Sequence, residues 1–259
     1  MRMMKKVLGT VTVLALSVSL LAGCGSTAAS PVPSAASTAA ESTTSSVVSE
    51  TTSAAADENV AAAAQLLNDL TGSYQELWPV ILADEYQQTW LDNCTALVGE
   101  ENAEAAFEKL SSMVTSDVYG EDAVEAYANG GGAYFCGFTN SLATLTFDGE
   151  TSTISGTDKD GNVLFSHTYH YIGMEPVRGL YEFQSDDADS GEFTYFFLAP
   201  DTSAETYHIE FRYGSDAEAL SQYDTGEYAY WLASGISTDC DQTMINNCIE
   251  LFCTENLAG

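Results

Sequence analysis

Thr206, His208, Glu210 and Arg212 alternate with Tyr207, Ile209, Phe211 and Tyr213 along one stretch of the chain. Alternation with a period of two predicts a strand over Glu205 to Tyr213 with one polar and one apolar face. The polar face then carries an imidazole and a carboxylate side by side. On an open sheet such a face meets water. In a barrel it could instead line the cavity, where His208 and Glu210 would offer two ligands to a borderline divalent cation such as zinc. The remaining histidines, His167 and His170, fall on opposite faces of a second strand-like stretch and read as ordinary strand residues.

Other chemistries find little support. The chain has no Gly-x-Ser-x-Gly elbow, His-Glu-x-x-His, phosphate-binding glycine loop or dinucleotide fingerprint. Its carboxylates show no spacing that singles out an acid–base pair, so no enzyme is expected. Asp158-Lys159-Asp160-Gly161-Asn162 begins like a calcium-binding loop. Val163 stands where that loop needs glycine, and Tyr169 where it needs a bidentate glutamate. The segment is therefore expected to be a hairpin turn, and the acidic run Asp186, Asp187, Asp189, Glu192 a solvated loop. No Cys-x-x-Cys pair exists among Cys94, Cys136, Cys240, Cys248 and Cys253, which argues against thioredoxin-like or thiolate-zinc chemistry. Cys240, Met244, Cys248 and Leu251 recur at helical spacing and are expected to form one apolar stripe.

The elements that must position these residues change character along the chain. Asn68 to Trp90 reads as helical, and Ala103, Phe107, Leu110 and Val114 define one face of an amphipathic helix. After Gly130-Gly131-Gly132 the pattern becomes a series of short strands: Ala143–Phe147, Thr151–Thr157, Val163–Ile172, Leu180–Phe183, Phe193–Leu198 and Glu205–Tyr213. Strands at this spacing with tight turns predict an antiparallel meander closing into a barrel or sandwich. A last helix follows a capping-box-like start at Thr238 and Asp241.

Upstream, a basic start (Arg2, Lys5, Lys6) and an apolar run from Val7 to Leu20 read as a secretory signal peptide over residues 1–23. Leu21-Ala22-Gly23-Cys24 resembles a bacterial lipobox, which implies lipidation of Cys24 and a palmitate-bearing lipoprotein anchored on the extracytoplasmic face of the cell membrane. Residues 24–56 are almost wholly Ser, Thr, Ala, Val and Pro and are expected to be a disordered tether, lifting the domain by roughly 30 Å. Residues 57–259 then suit one domain. Beyond the signal the chain keeps four Lys or Arg against 38 Asp or Glu, a formal charge of −34. Such a surface excludes nucleic acid as a partner and concentrates cations.

Gly72-Ser73-Tyr74-Gln75-Glu76-Leu77-Trp78-Pro79-Val80-Ile81-Leu82 resembles the opening signature of the ZinT family of exported zinc- and cadmium-binding proteins. Val177-Arg178-Gly179-Leu180-Tyr181-Glu182 is similar to one of that family's strands. Phe193 to Gly214, with Ala199-Pro200 and His208-Ile209, resembles another segment, as does the tail from Glu227-Tyr228-Ala229-Tyr230. The likeness implies a mainly β fold with flanking α, namely a lipocalin-like (calycin) antiparallel β-barrel with N-terminal helices and a C-terminal helix. It also implies a site for zinc or another divalent cation, and cation capture for a metal transporter or as a buffer. Of the family's three histidine ligands only the last is matched, by His208. Thr206 stands at the first position of the His-x-His, and Phe196 falls near the earlier histidine. The implied site is then completed by Glu210, Glu205 or Asp201, an oxygen-richer shell that favours harder cations. The alternative is a metal-free calycin module binding a small molecule or a partner protein.

Overall fold

Eight strands hydrogen-bond in sequence order and the last returns to the first, closing a barrel in which every neighbouring pair is antiparallel. The computed structural model describes residues 47–199 and 205–258, with side chains from Glu58 onward. The strands are β1 (Gly72–Glu76), β2 (Thr144–Asp148), β3 (Thr153–Thr157), β4 (Val163–Met174), β5 (Tyr181–Ser185), β6 (Tyr195–Leu198), β7 (His208–Gly214) and β8 (Ala233–Ser237). Among the described residues seven helices accompany them: α1 (Val47–Asp69), α2 (Leu77–Ile81), α3 (Gln87–Val98), α4 (Glu100–Ser112), α5 (Glu121–Ala128), α6 (Ala217–Leu220) and α7 (Gln242–Leu257). Closure removes the unpaired sheet edges that an open meander would expose. Cys24 and the leader lie outside the described residues. No helix among the described residues is long and apolar enough to cross a membrane.

Two apolar clusters hold this arrangement. The first fills the barrel. Alternation points Leu145 and Phe147, Phe165 and Tyr169, and Phe211 and Tyr213 inward, and pairing sets Phe196 between Phe183 and Tyr213. Phe165 stacks on Phe193 with ring centroids 4.0 Å apart, and Phe196 lies 5.4 Å from Tyr213. The Tyr213 hydroxyl accepts from the Thr139 amide at 2.6 Å and donates to the Thr139 carbonyl at 3.0 Å, so its burial leaves no polar deficit. Ala63, Leu66 and Leu67 of α1, with Leu70 just after it, join this core beside the β2–β3 turn. The second cluster lies outside the barrel. There Leu77, Trp78 and Ile81 of α2, Trp90 and Cys94 of α3, Leu110 of α4 and Ile245, Cys248, Ile249 and Cys253 of α7 pack with Ile236 of β8. Burying each large side chain of this kind contributes roughly 2–3 kcal/mol.

Several expectations need correction. The segment read as helical from Asn68 contains β1, which pairs with both β2 and β8 and so closes the barrel. Only Tyr74 within it is fully buried, so five residues carry too little alternation to show as a strand. β8 escaped notice because Ala-Ser-Gly-Ile-Ser is buried on both faces and has no alternation. Among the described residues α1 covers Val47–Asp69, and the rest of the stretch assigned to the tether lies outside them. At the other end, Asp241 itself caps α7 by accepting from the Met244 amide at 3.0 Å, while Thr238 bonds the Ser73 carbonyl. The buried stripe of α7 is Ile245, Cys248, Ile249 and Cys253, with Met244 and Leu251 on its flanks. Asp158 does make a hairpin turn, accepting from the amides of Asp160 and Asn162 at 2.9 Å each.

Candidate metal centre

β7 starts at His208. Tyr207 has a left-handed φ of 51° and is 37% exposed, so it stands off the apolar face it was expected to join. Ile209, Phe211 and Tyr213 point into the barrel. His208, Glu210 and Arg212 therefore point out of it, which corrects the expectation that this polar face lines the cavity. Pairing bears this out: His208 sits opposite Ile236, whose side chain packs with the outer helices, and Glu210 sits opposite Ser234. The reason is energetic. A barrel this narrow gains most by filling itself with rings, and an unpaired charge among them would be costly.

Outside the barrel, His208 and Glu210 are half-buried near α7. The Thr206 hydroxyl lies 2.7 Å from His208 Nδ1 and Thr206 is itself buried. Asn247 of α7 donates to the Glu205 carbonyl at 2.9 Å, tying that helix to the segment that enters β7. Glu210 lies near two buried thiols. Burial first, and then the Glu210 charge, push Cys136 and Cys248 up to about 12. Both thiols are thus protonated at neutral pH and poor metal ligands. Among the described residues no group of three or more His, Cys, Asp or Glu side chains is placed to hold a metal ion. Asp201, the remaining carboxylate considered, lies outside the described residues.

The other histidines are better partnered than their sequence suggested. His167 Nδ1 lies 2.7 Å from Asp187, and His170 Nδ1 lies 2.7 Å from Asp186. Two consecutive aspartates just after β5 thus reach the two faces of β4. The acidic run is in part a pair of imidazole anchors, which no local pattern could reveal, because β4–β5 register alone sets it.

Arg212, the last member of that polar face, meets no water. It is fully buried and donates to the carbonyls of Leu220, Gln222 and Tyr228. Its guanidinium lies 4.4 Å from the Tyr223 ring centroid, and so does that of Arg178. Two of the four basic residues beyond the leader therefore serve to clamp the segment between α6 and β8 onto the barrel wall.

No protein-family description and no curated protein matches this chain. Solved structures do. The Zn(II)-bound ZinT-like domain of Streptococcus pneumoniae AdcA is similar at 14% identity, with a TM-score of 0.44, over 70% of this chain and 87% of that one. The Zn(II)-bound AdcA of Streptococcus pneumoniae is similar at 13% identity, with a TM-score of 0.41, over 71% of this chain and 34% of its own length.

Proposed function

We propose that this chain is a lipid-anchored, extracytoplasmic protein that captures a divalent cation, zinc foremost, where β7 begins beside α7. The observation that carries this reading is the juxtaposition of His208 and Glu210 on one outer strand face, with the Thr206 hydroxyl fixed at His208 Nδ1. When Nδ1 donates that hydrogen bond, the lone pair resides on Nε2, the tautomer a metal requires. The ordered likeness to ZinT segments supports the same reading. The formal charge of −34 would raise the cation concentration near the surface. Two protein donors make a weak site. Asp201, in the connection leading to β7, is proposed as the third, and the resulting oxygen-rich shell would admit manganese as well as zinc. Cys24 would carry the anchor.

Elemental analysis of protein purified without chelator, with zinc titration of the mature chain, tests this reading. One equivalent of zinc, lost in His208→Ala and weakened in Glu210→Gln, supports it. No binding tighter than about 1 mM, unchanged by His208→Ala, rejects it. Release of the protein from the membrane fraction by Cys24→Ala tests the anchor separately.

A second reading, a metal-free module for a protein partner, draws on the absence of a three-donor group among the described residues. Its small-molecule form is disfavoured, because Phe147, Phe183, Phe196, Phe211 and Tyr213 occupy the barrel interior at 0–1% exposure.

A further inference from the structure

α3 and α7 pack directly against each other outside the barrel, although roughly 160 residues separate their facing positions. Cys94 follows Trp90 by one helical turn, and Cys253 follows Ile249 by one turn, so each thiol continues a buried stripe. Both cysteines are 0% exposed and belong to the same apolar cluster. Both are free thiols, and each is the one side chain that acts on the other's titration, which sets them side by side in that cluster. Among the described residues no other two cysteines combine these features. Cys248 and Cys253 are five residues apart on one helix, which turns them to different sides. Cys136 instead faces Trp78 and Ser234.

We propose that Cys94 and Cys253 are joined by a disulfide that locks α3 to α7. The oxidant is a small or protein disulfide, glutathione disulfide serving as the probe. The Cys253 thiolate attacks one sulfur of glutathione disulfide, releasing one glutathione thiolate and forming a mixed disulfide. The Cys94 thiolate then attacks the Cys253 sulfur and releases the second glutathione. Two protein thiols become one S–S bond, one disulfide becomes two thiols, and both protons end on glutathione. Burial pushes the Cys253 thiol up to about 12, so the folded, reduced protein offers little thiolate and little access. The bond therefore forms while the chain folds, before α7 seals the pair. It does not depend on the cation reading.

The test refolds reduced, denatured full-length chain in glutathione redox buffer, blocks free thiols under denaturing conditions and digests with a Glu-specific protease. Cleavage after Glu85 and Glu100 isolates Cys94, and cleavage after Glu250 and Glu255 isolates Cys253, each free of every other cysteine. The expected result is one linked peptide pair containing those two residues and a mass 2 Da below the reduced chain (two hydrogens lost). Reductant is expected to lower the Tm by roughly 5–15 °C, a shift absent in Cys94→Ala and in Cys253→Ala. The mapping needs only the unmutated chain, so a poorly folding variant does not blunt it. Full thiol labelling after refolding, or a bridge that includes Cys136, Cys240 or Cys248 in place of either residue, overturns the proposal.

Discussion

Thr206 Oγ1 lies 2.7 Å from His208 Nδ1, so a hydroxyl two residues upstream sets the orientation of the half-buried imidazole on β7. The contact is local in sequence, yet it depends on the left-handed turn at Tyr207 between them. An extended residue at 207 would leave both side chains on one strand face, about 7 Å apart.

Removing that contact separates an orienting role from a ligand role. Thr206→Val is expected to weaken zinc binding by roughly ten-fold while leaving the stoichiometry at one, whereas His208→Ala removes binding. Isothermal titration of the two variants side by side reads the difference. Equal affinity for Thr206→Val and the parent would show that the hydroxyl orients nothing that matters to the metal.

Phe196 sits at zero exposure between Phe183 and Tyr213 inside the barrel. Phe196→Ala should cost about 3–5 kcal/mol in urea denaturation and open an apolar cavity. Benzene should then raise the Tm of the variant and leave that of the parent unchanged. A parent protein stabilised equally by benzene would mean that the barrel interior already has room for a ligand.

Arg212→Lys keeps the charge and loses the fork that reaches three carbonyls and lies over Tyr223. A loss of about 3 kcal/mol in urea denaturation is expected, since an ammonium cannot satisfy all three carbonyls from one point. A change under about 1 kcal/mol would place the clamp elsewhere.

Alkaline pH should unfold the protein early. Burial pushes Tyr74 and Tyr228 from 10.0 to about 12, and Cys136 and Cys248 from 9.0 to about 12. The unfolded chain therefore releases these protons first, so the stabilisation is full below about pH 9 and is lost as pH rises toward 12. Calorimetry should find the Tm flat between about pH 7 and pH 8.5 and falling steeply by about pH 11. A flat profile to about pH 11 would show that these groups are open to water in the folded state.

Parts of this structure were legible without coordinates. Leu145 and Phe147 alternate with threonines, and β2 lies there; Ala103 and Leu110 recur at helical spacing, and α4 buries them. The Asp158 turn was readable because its bonds are all local. β1 and β8 were not, for a common reason. Gly72–Glu76 and Ala233–Ser237 have weak patterns of their own and become strands by pairing with each other and with β2 and β7. The partnership of His167 with Asp187 and of His170 with Asp186 is likewise a matter of register.

The amino-acid order alone determined that a polar and an apolar face alternate through His208, Glu210 and Arg212, since side chains in a strand must point to opposite sides. It also determined the acidic balance and the types of donor on offer. Which face turns inward was decided only when eight strands closed, because the rings of Phe211 and Tyr213 gain more from the barrel interior than His208 and Glu210 could. That choice puts the imidazole on the outer wall and leaves the barrel to its aromatic core.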